Sequence, residues 1–118
     1  MRVLGIGGIF MRTNDIAKMV KWYDDVLGVN LEAWGGTAFV PTENNMTIFS
    51  LFEKKSEYFP LRQSFMINFQ IENMNEFLKH IERLSVKIVR ELDKNDYGKF
   101  IWIEDPDENW IEIWERKQ

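Results

Sequence analysis

Glu112 stands between two tryptophans at alternate positions, in the string Trp110-Ile111-Glu112-Ile113-Trp114. In a β-strand, alternate residues share a face. The pattern therefore sets a carboxylate between two indoles on one side and two isoleucines on the other. A carboxylate desolvated among aromatic rings holds its proton more tightly, and so becomes a usable general base. Trp102 stands in the same way between Ile101 and Ile103, and Asn68 and Gln70 alternate with Ile67, Phe69 and Ile71. Arg12 follows Phe10 by two, and Ser50 lies two from both Ile48 and Phe52. Stacking surfaces from Trp102, Trp110 and Trp114, with Arg12, Ser50, Asn68, Gln70 and Glu112 among them, make the lining of a small-molecule cleft. The plainer alternative is a sheet face that is solvated or packed against a second subunit. Arg12 could then simply pair with Glu112. The chain has no cysteine, which excludes disulfides and thiol chemistry, and one histidine, His80, on the polar side of a helix.

Two segments have the spacing of amphipathic helices. Ile16, Met19, Val20, Tyr23 and Leu27 share one face, with Asp15 at the N-cap and Gly28 where a left-handed C-cap belongs. Met74, Phe77, Leu78 and Ile81 repeat the spacing, with Asn73 and Glu76 as a capping pair. Strands are predicted at 6–13 and 65–71 before the helices, at 30–34, 37–41 and 46–53 after the first, and at 87–91, 99–103 and 110–115 after the second. Polar residues 92–96 read as a loop, and 56–63, with Pro60, as a linker.

Each half thus has the order strand, helix, three strands. The halves are also similar in sequence: residues 48–55 lie over 110–117, 8–11 over 66–69, and 39–40 over 100–101. The expected fold is α+β, with tandem βαβββ modules forming a curved, cup-like mixed sheet and helices on the outer face. It is one domain over residues 1–118, with module 1 about 1–55 and module 2 about 64–118. The parity that holds Ile9, Met11, Phe49, Leu51, Ile67, Phe69, Ile101, Ile103, Ile111 and Ile113 is wholly apolar, and is expected under the helices. The other parity carries the mixed residues above.

Three strings then bear a family resemblance. Trp22-Tyr23-Asp24-Asp25-Val26-Leu27-Gly28-Val29 resembles the helix end "FY.dvLGl" of the vicinal oxygen chelate superfamily, which contains glyoxalases, bleomycin-resistance proteins and extradiol dioxygenases. Phe69-Gln70-Ile71-Glu72-Asn73-Met74 resembles its "F.V.D." second helix start, and Asp105-Pro106-Asp107-Glu108-Asn109-Trp110-Ile111-Glu112-Ile113 its "DPdGn.iEl" hairpin. The resemblance implies a dimer, and a metal held by four positions that fall here on Gly8, Ser50, Met66 and Glu112. Only Glu112 among them is a strong ligand for a divalent ion. The expectation is therefore no family-type metal site and no cofactor.

The 118 residues are 45% hydrophobic, 29% charged and carry a net charge of −4. No Lys/Arg run is interleaved with aromatics, so nucleic-acid binding is not expected, nor is a membrane span or targeting peptide. A cytoplasmic homodimer with a small-molecule partner is the expectation. Three functional readings stay open. One is metal-free binding in the cup. The second is a lyase- or isomerase-type enzyme with Glu112 as general base and Arg12 or Asn68 stabilising negative charge, or one with an unrecognised metal site. The third is an interaction module whose cup is filled by its own side chains.

Overall fold

In the computed structural model, which describes residues 1–118, the second half of the chain builds the sheet. The elements are α1 (Ile16–Leu27), β1 (Ile67–Ile71), α2 (Met74–Arg83), β2 (Ile88–Asn95), β3 (Gly98–Glu104) and β4 (Trp110–Arg116). The spatial order is β1-β4-β3-β2. β1 runs parallel to β4, and the other two pairs are antiparallel, so the fold is α+β with a mixed, open sheet.

The expected caps form. Asp15 accepts the Lys18 N–H at 3.0 Å and Gly28 closes α1 at φ +65°. Asn73 accepts from the Glu76 N–H at 3.0 Å. Glu115 accepts the Met74 N–H at 2.7 Å, placing a carboxylate at the N-terminus of α2, where orphan donors and the helix dipole favour it.

Ile101, Ile103, Ile111 and Ile113 are almost fully buried with Met74 and Ile81 of α2 and with Met19, Tyr23 and Val26 of α1. Each buried aliphatic side chain contributes on the order of 1.5–3 kcal/mol relative to its exposed state. The helix of the first half thus covers the sheet of the second. A buried hydrogen bond fixes that contact: the Tyr23 hydroxyl donates to Asp105 Oδ2 at 2.8 Å. Asp105 also accepts from the Asp107 and Asn109 backbone N–H groups, each at 2.9 Å, and from Asn109 Nδ2 at 2.8 Å. Glu108 takes φ +66° in this turn, where the resembled string has glycine.

Two expectations are corrected. Residues 92–95 belong to β2 rather than to a loop. β2 is an edge strand, and an edge tolerates the charges that disqualify a central strand. The turn that follows is held by Asn95 Oδ1, which accepts the Tyr97 N–H at 2.8 Å. Gly98 has φ +131°, and a Cβ there would come within 2.1 Å of the Glu115 carbonyl oxygen, so the residue must be glycine.

The second correction concerns the strands expected at 6–13, 30–34, 37–41 and 46–53. None of them joins the ladder. Residues 6–13 and 46–52 make no backbone–backbone hydrogen bond, and Ile9, Phe49 and Leu51 are exposed instead of lying under a helix. Alternation specifies which face a strand would bury, but a strand exists only where another chain segment satisfies its amides. The contact between the first half and β1 is made by a side chain instead: Gln70 donates to the Asn44 carbonyl at 2.7 Å and accepts the Met46 N–H at 3.4 Å.

Candidate functional site: an aromatic cup around Glu112

The sheet register aligns four side chains across all four strands. Asn68 is the partner of Glu112, Glu112 of Trp102, and Trp102 of Arg90. Glu112 is only 7% exposed and Trp102 only 3%, on the face opposite the helices. The Glu112 carboxylate collects three donors. Asn68 Nδ2 reaches Oε1 at 3.0 Å, and the Tyr58 hydroxyl and Trp102 Nε1 reach Oε2 at 3.1 and 3.3 Å.

Burial holds the Glu112 carboxyl above its ordinary pKa, against the lowering effect of those three hydrogen bonds and of the Arg90 charge. The Tyr58 hydroxyl is likewise pushed up, first by burial and then by the adjacent carboxylate, so it stays a neutral donor.

A second row stacks aromatic rings beside the first. Phe100 lies between Trp102 and Trp114, with centroids 6.2 and 5.9 Å away and near-parallel planes. Trp114 Nε1 donates to the Tyr97 carbonyl at 2.9 Å, which fixes that ring. Trp110 is held from below through its backbone: the Gln63 amide makes two hydrogen bonds, each 2.9 Å, to the Trp110 N–H and carbonyl, as a neighbouring strand would.

Of the residues expected from the sequence, Asn68, Trp102, Trp110 and Glu112 come together, and Trp114 braces their edge. Arg12 and Ser50 are exposed, and neither hydrogen-bonds to this cluster. The guanidinium beside Glu112 is that of Arg90, and Arg12 forms no ion pair. Gln70 spends its amide on the backbone at 44 and 46. Tyr58 and Arg90 were not singled out by the sequence. Tyr58 falls in the segment read as a linker, and Arg90 sits on β2 between two irregularities of register.

The four positions implied as metal ligands do not make a divalent site. Gly8 and Ser50 are exposed, Met66 offers a thioether, and the Glu112 oxygens face N–H and O–H donors, which orient their positive ends toward the place a cation would take. No three His, Cys, Asp or Glu side chains converge so that they could hold a metal ion. His80 hydrogen-bonds the Asp25 carbonyl at 2.9 Å, joining α2 to α1.

A hollow of about 280 Å³ lies between Trp22, Val26, Val86 and Lys87 on the helix side. Its carboxylates are already engaged, Asp25 by Lys21 at 2.6 Å, Glu104 by Lys87 at 3.0 Å and Asp105 by its four donors, so it presents no free carboxylate to a ligand. The cup is the better candidate.

No helix of the molecule is long and apolar enough to cross a membrane. No curated protein matches the sequence. Among solved structures, a glyoxylase/bleomycin resistance protein/dioxygenase domain from Frankia sp. EAN1pec is similar at TM-score 0.64 and 13% identity, over 99% of this chain and 95% of that one. A lactoylglutathione lyase from Agrobacterium tumefaciens is similar at TM-score 0.54 and 14% identity, over 93% and 94%. TioX from Micromonospora sp. ML1 gives 0.55 and 12%, over 90% and 91%. These likenesses concern the fold. The family profile described as Glyoxalase/Bleomycin resistance protein/Dioxygenase superfamily matches residues 5–113, nearly the whole length. With the βαβββ unit of residues 67–116 and the hairpin string at 105–113 in place, the chain belongs to the glyoxalase/bleomycin resistance protein/dioxygenase superfamily.

Proposed function

We propose that this protein binds a small organic molecule in the aromatic cup around Glu112, without the divalent metal that enzymes of the superfamily hold. The observation that carries the reading is the desolvated carboxylate at the centre of a cross-strand row, flanked by Trp102 and Trp110. Polar groups converging within an aromatic surface are what small-ligand sites require. The test is tryptophan fluorescence against a panel of cationic, anionic and neutral aromatic compounds. At least one should quench the emission saturably, and Trp102→Ala and Trp110→Ala should each weaken its binding by about tenfold or more, the loss of one stacking or cation–π contact. Unchanged affinity in both variants would move the site elsewhere.

A second reading follows from the raised pKa of Glu112. The carboxylate could take a proton from a ligand carbon next to a carbonyl, in a lyase- or isomerase-type reaction, with Tyr58 or Asn68 stabilising the developing negative charge. Turnover that survives in Glu112→Gln would eliminate it.

We further infer that the working form is a homodimer. Apolar segments with unpaired backbone groups, such as 6–13 and 47–52, are templates for pairing. β1 leaves one edge of the sheet open, and the first half repeats the sequence of the second. A second copy supplies both the missing strands and the matching edge. Light scattering after size exclusion should give twice the 14.2 kDa chain mass at micromolar concentration. A monomer there would contradict the inference.

A further inference from the structure

The guanidinium of Arg90 lies against three aromatic rings that come from three separate segments. Its central carbon is 5.0 Å from the Tyr58 ring centroid, 5.1 Å from Trp102 and 5.6 Å from Trp110. It makes one long hydrogen bond, from Nη2 to the Glu57 carbonyl at 3.4 Å, and no ion pair. The rings are therefore its main partners. Two of the three, Tyr58 and Trp102, also donate to the Glu112 carboxylate. Ring faces carry negative quadrupole density, so three of them beside a carboxylate form a receptor for a cation.

Arg90 is half-buried on the edge strand β2, between two breaks in the β2–β3 register, from Ile88 to Arg90 and from Arg90 to Asp93. Irregular pairing on both sides leaves its side chain held by the cage rather than by the ladder. It can leave the cage at little cost to the sheet.

We propose that the ligand of the cup is an organic cation, bearing a guanidinium or alkylammonium group, and that it takes the place in the Tyr58–Trp102–Trp110 cage that Arg90 fills in the free protein. The proposal rests on the cup as the binding site and names the charge class of its ligand. A carboxylate docking onto Arg90 would instead have to enter between ring faces and beside Glu112, both of which repel it. Arg90 then acts as a tethered competitor that sets the affinity for the incoming cation.

The test uses methylguanidinium and tetramethylammonium as probes, with benzoate and indole as anionic and neutral comparisons, all at constant ionic strength. Trp102 and Trp110 report through their fluorescence. Arg90→Ala should bind at least one of the cationic probes about tenfold or more tightly than the natural chain, the order of a desolvated cation–π contact. Adding Trp102→Ala should abolish that gain. Arg90→Met, which keeps the apolar stem, should show the same gain should Arg90→Ala fold poorly. Equal cation affinity with and without Arg90, no cation binding to either protein, or a gain that survives Trp102→Ala overturns the proposal. So does benzoate binding that is lost in Arg90→Ala, which would make Arg90 an anion-binding arm. Indole or benzoate binding that depends on Trp102 while the cations fail would leave the cup as the site and reject only the cationic ligand.

Discussion

Replacing Asp105 by alanine is expected to lower stability by about 3–5 kcal/mol, a drop of roughly 10 °C or more in melting temperature for a domain of this size. The carboxylate is 4% exposed and is the common acceptor for four donors. Two of them, the Asp107 and Asn109 N–H groups, shape the turn that delivers β4 in register with β3. The fourth, the Tyr23 hydroxyl, belongs to α1 and is itself buried. Burial and the neighbouring carboxylate hold the Tyr23 phenol protonated far above neutral pH, so it always carries a proton to donate. Removing the acceptor strands that hydroxyl between helix and sheet. Asp105→Asn should cost less, because one acceptor remains. Tyr23→Phe alone should cost about 1–3 kcal/mol, the value of a hydrogen bond to a charged group. In the Asp105→Ala background it should cost little or even stabilise, since it removes the stranded donor. Urea denaturation of the natural chain and the four variants checks this. A loss below about 1 kcal/mol for Asp105→Ala, within the range of an ordinary surface substitution, would mean that α1 is not fixed to the sheet through this pair.

The same residues show what a sequence can and cannot reveal. Both helices were legible because their caps are local: Asp15 and Asn73 reach donors three residues on, and Gly28 closes α1 by its own φ. The face of the sheet was legible too, since Ile101, Ile103, Ile111 and Ile113 alternate with the cup residues through unbroken strands. The expected strands formed only in the second module. The strands expected in the first half have the right alternation, yet pairing depends on a partner that their own residues do not name. Arg90 failed for another reason. An uninterrupted hairpin continued from the Asn95–Gly98 pair would set Arg90 across from Ile103, on the helix side. The irregularities in β2 instead place it opposite Trp102, and no residue type in 88–95 announces them. Arg12 was the arginine that strand parity offered to Glu112, and the register awarded that place to Arg90. Tyr58 lies outside any periodic element, so only the folded chain could bring it 3.1 Å from a carboxylate 54 positions away.

Glu112 should show opposite responses to two substitutions. Glu112→Ala leaves the Tyr58, Asn68 and Trp102 donors without their acceptor, and is expected to cost about 2–4 kcal/mol, most of it from the buried Trp102 N–H. Glu112→Gln keeps an acceptor for Tyr58 and Trp102 and removes the charge, while Asn68 can turn its amide to present oxygen. The pH dependence separates charge from hydrogen bonding. The folded-state pKa of this carboxyl lies above its ordinary 4.5, so in the window between the two values the folded protein binds the extra proton. Stability from this group is then fully present below about pH 4.5 and is lost as pH rises through the folded-state value. Glu112→Gln lacks that loss, so its stability relative to the natural chain should increase across the window and level off above it. A difference that is flat with pH would mean that the carboxyl is not desolvated in the folded protein. Binding should move the other way. If the cup takes a cation, Glu112→Gln weakens it at neutral pH by about tenfold, as expected for loss of a partly buried charge partner, even though the variant has gained stability relative to the natural chain over the same rise in pH. Relative stability that rises with pH alongside poorer binding, in a single substitution, is what distinguishes a carboxylate kept for a ligand from one kept for the fold.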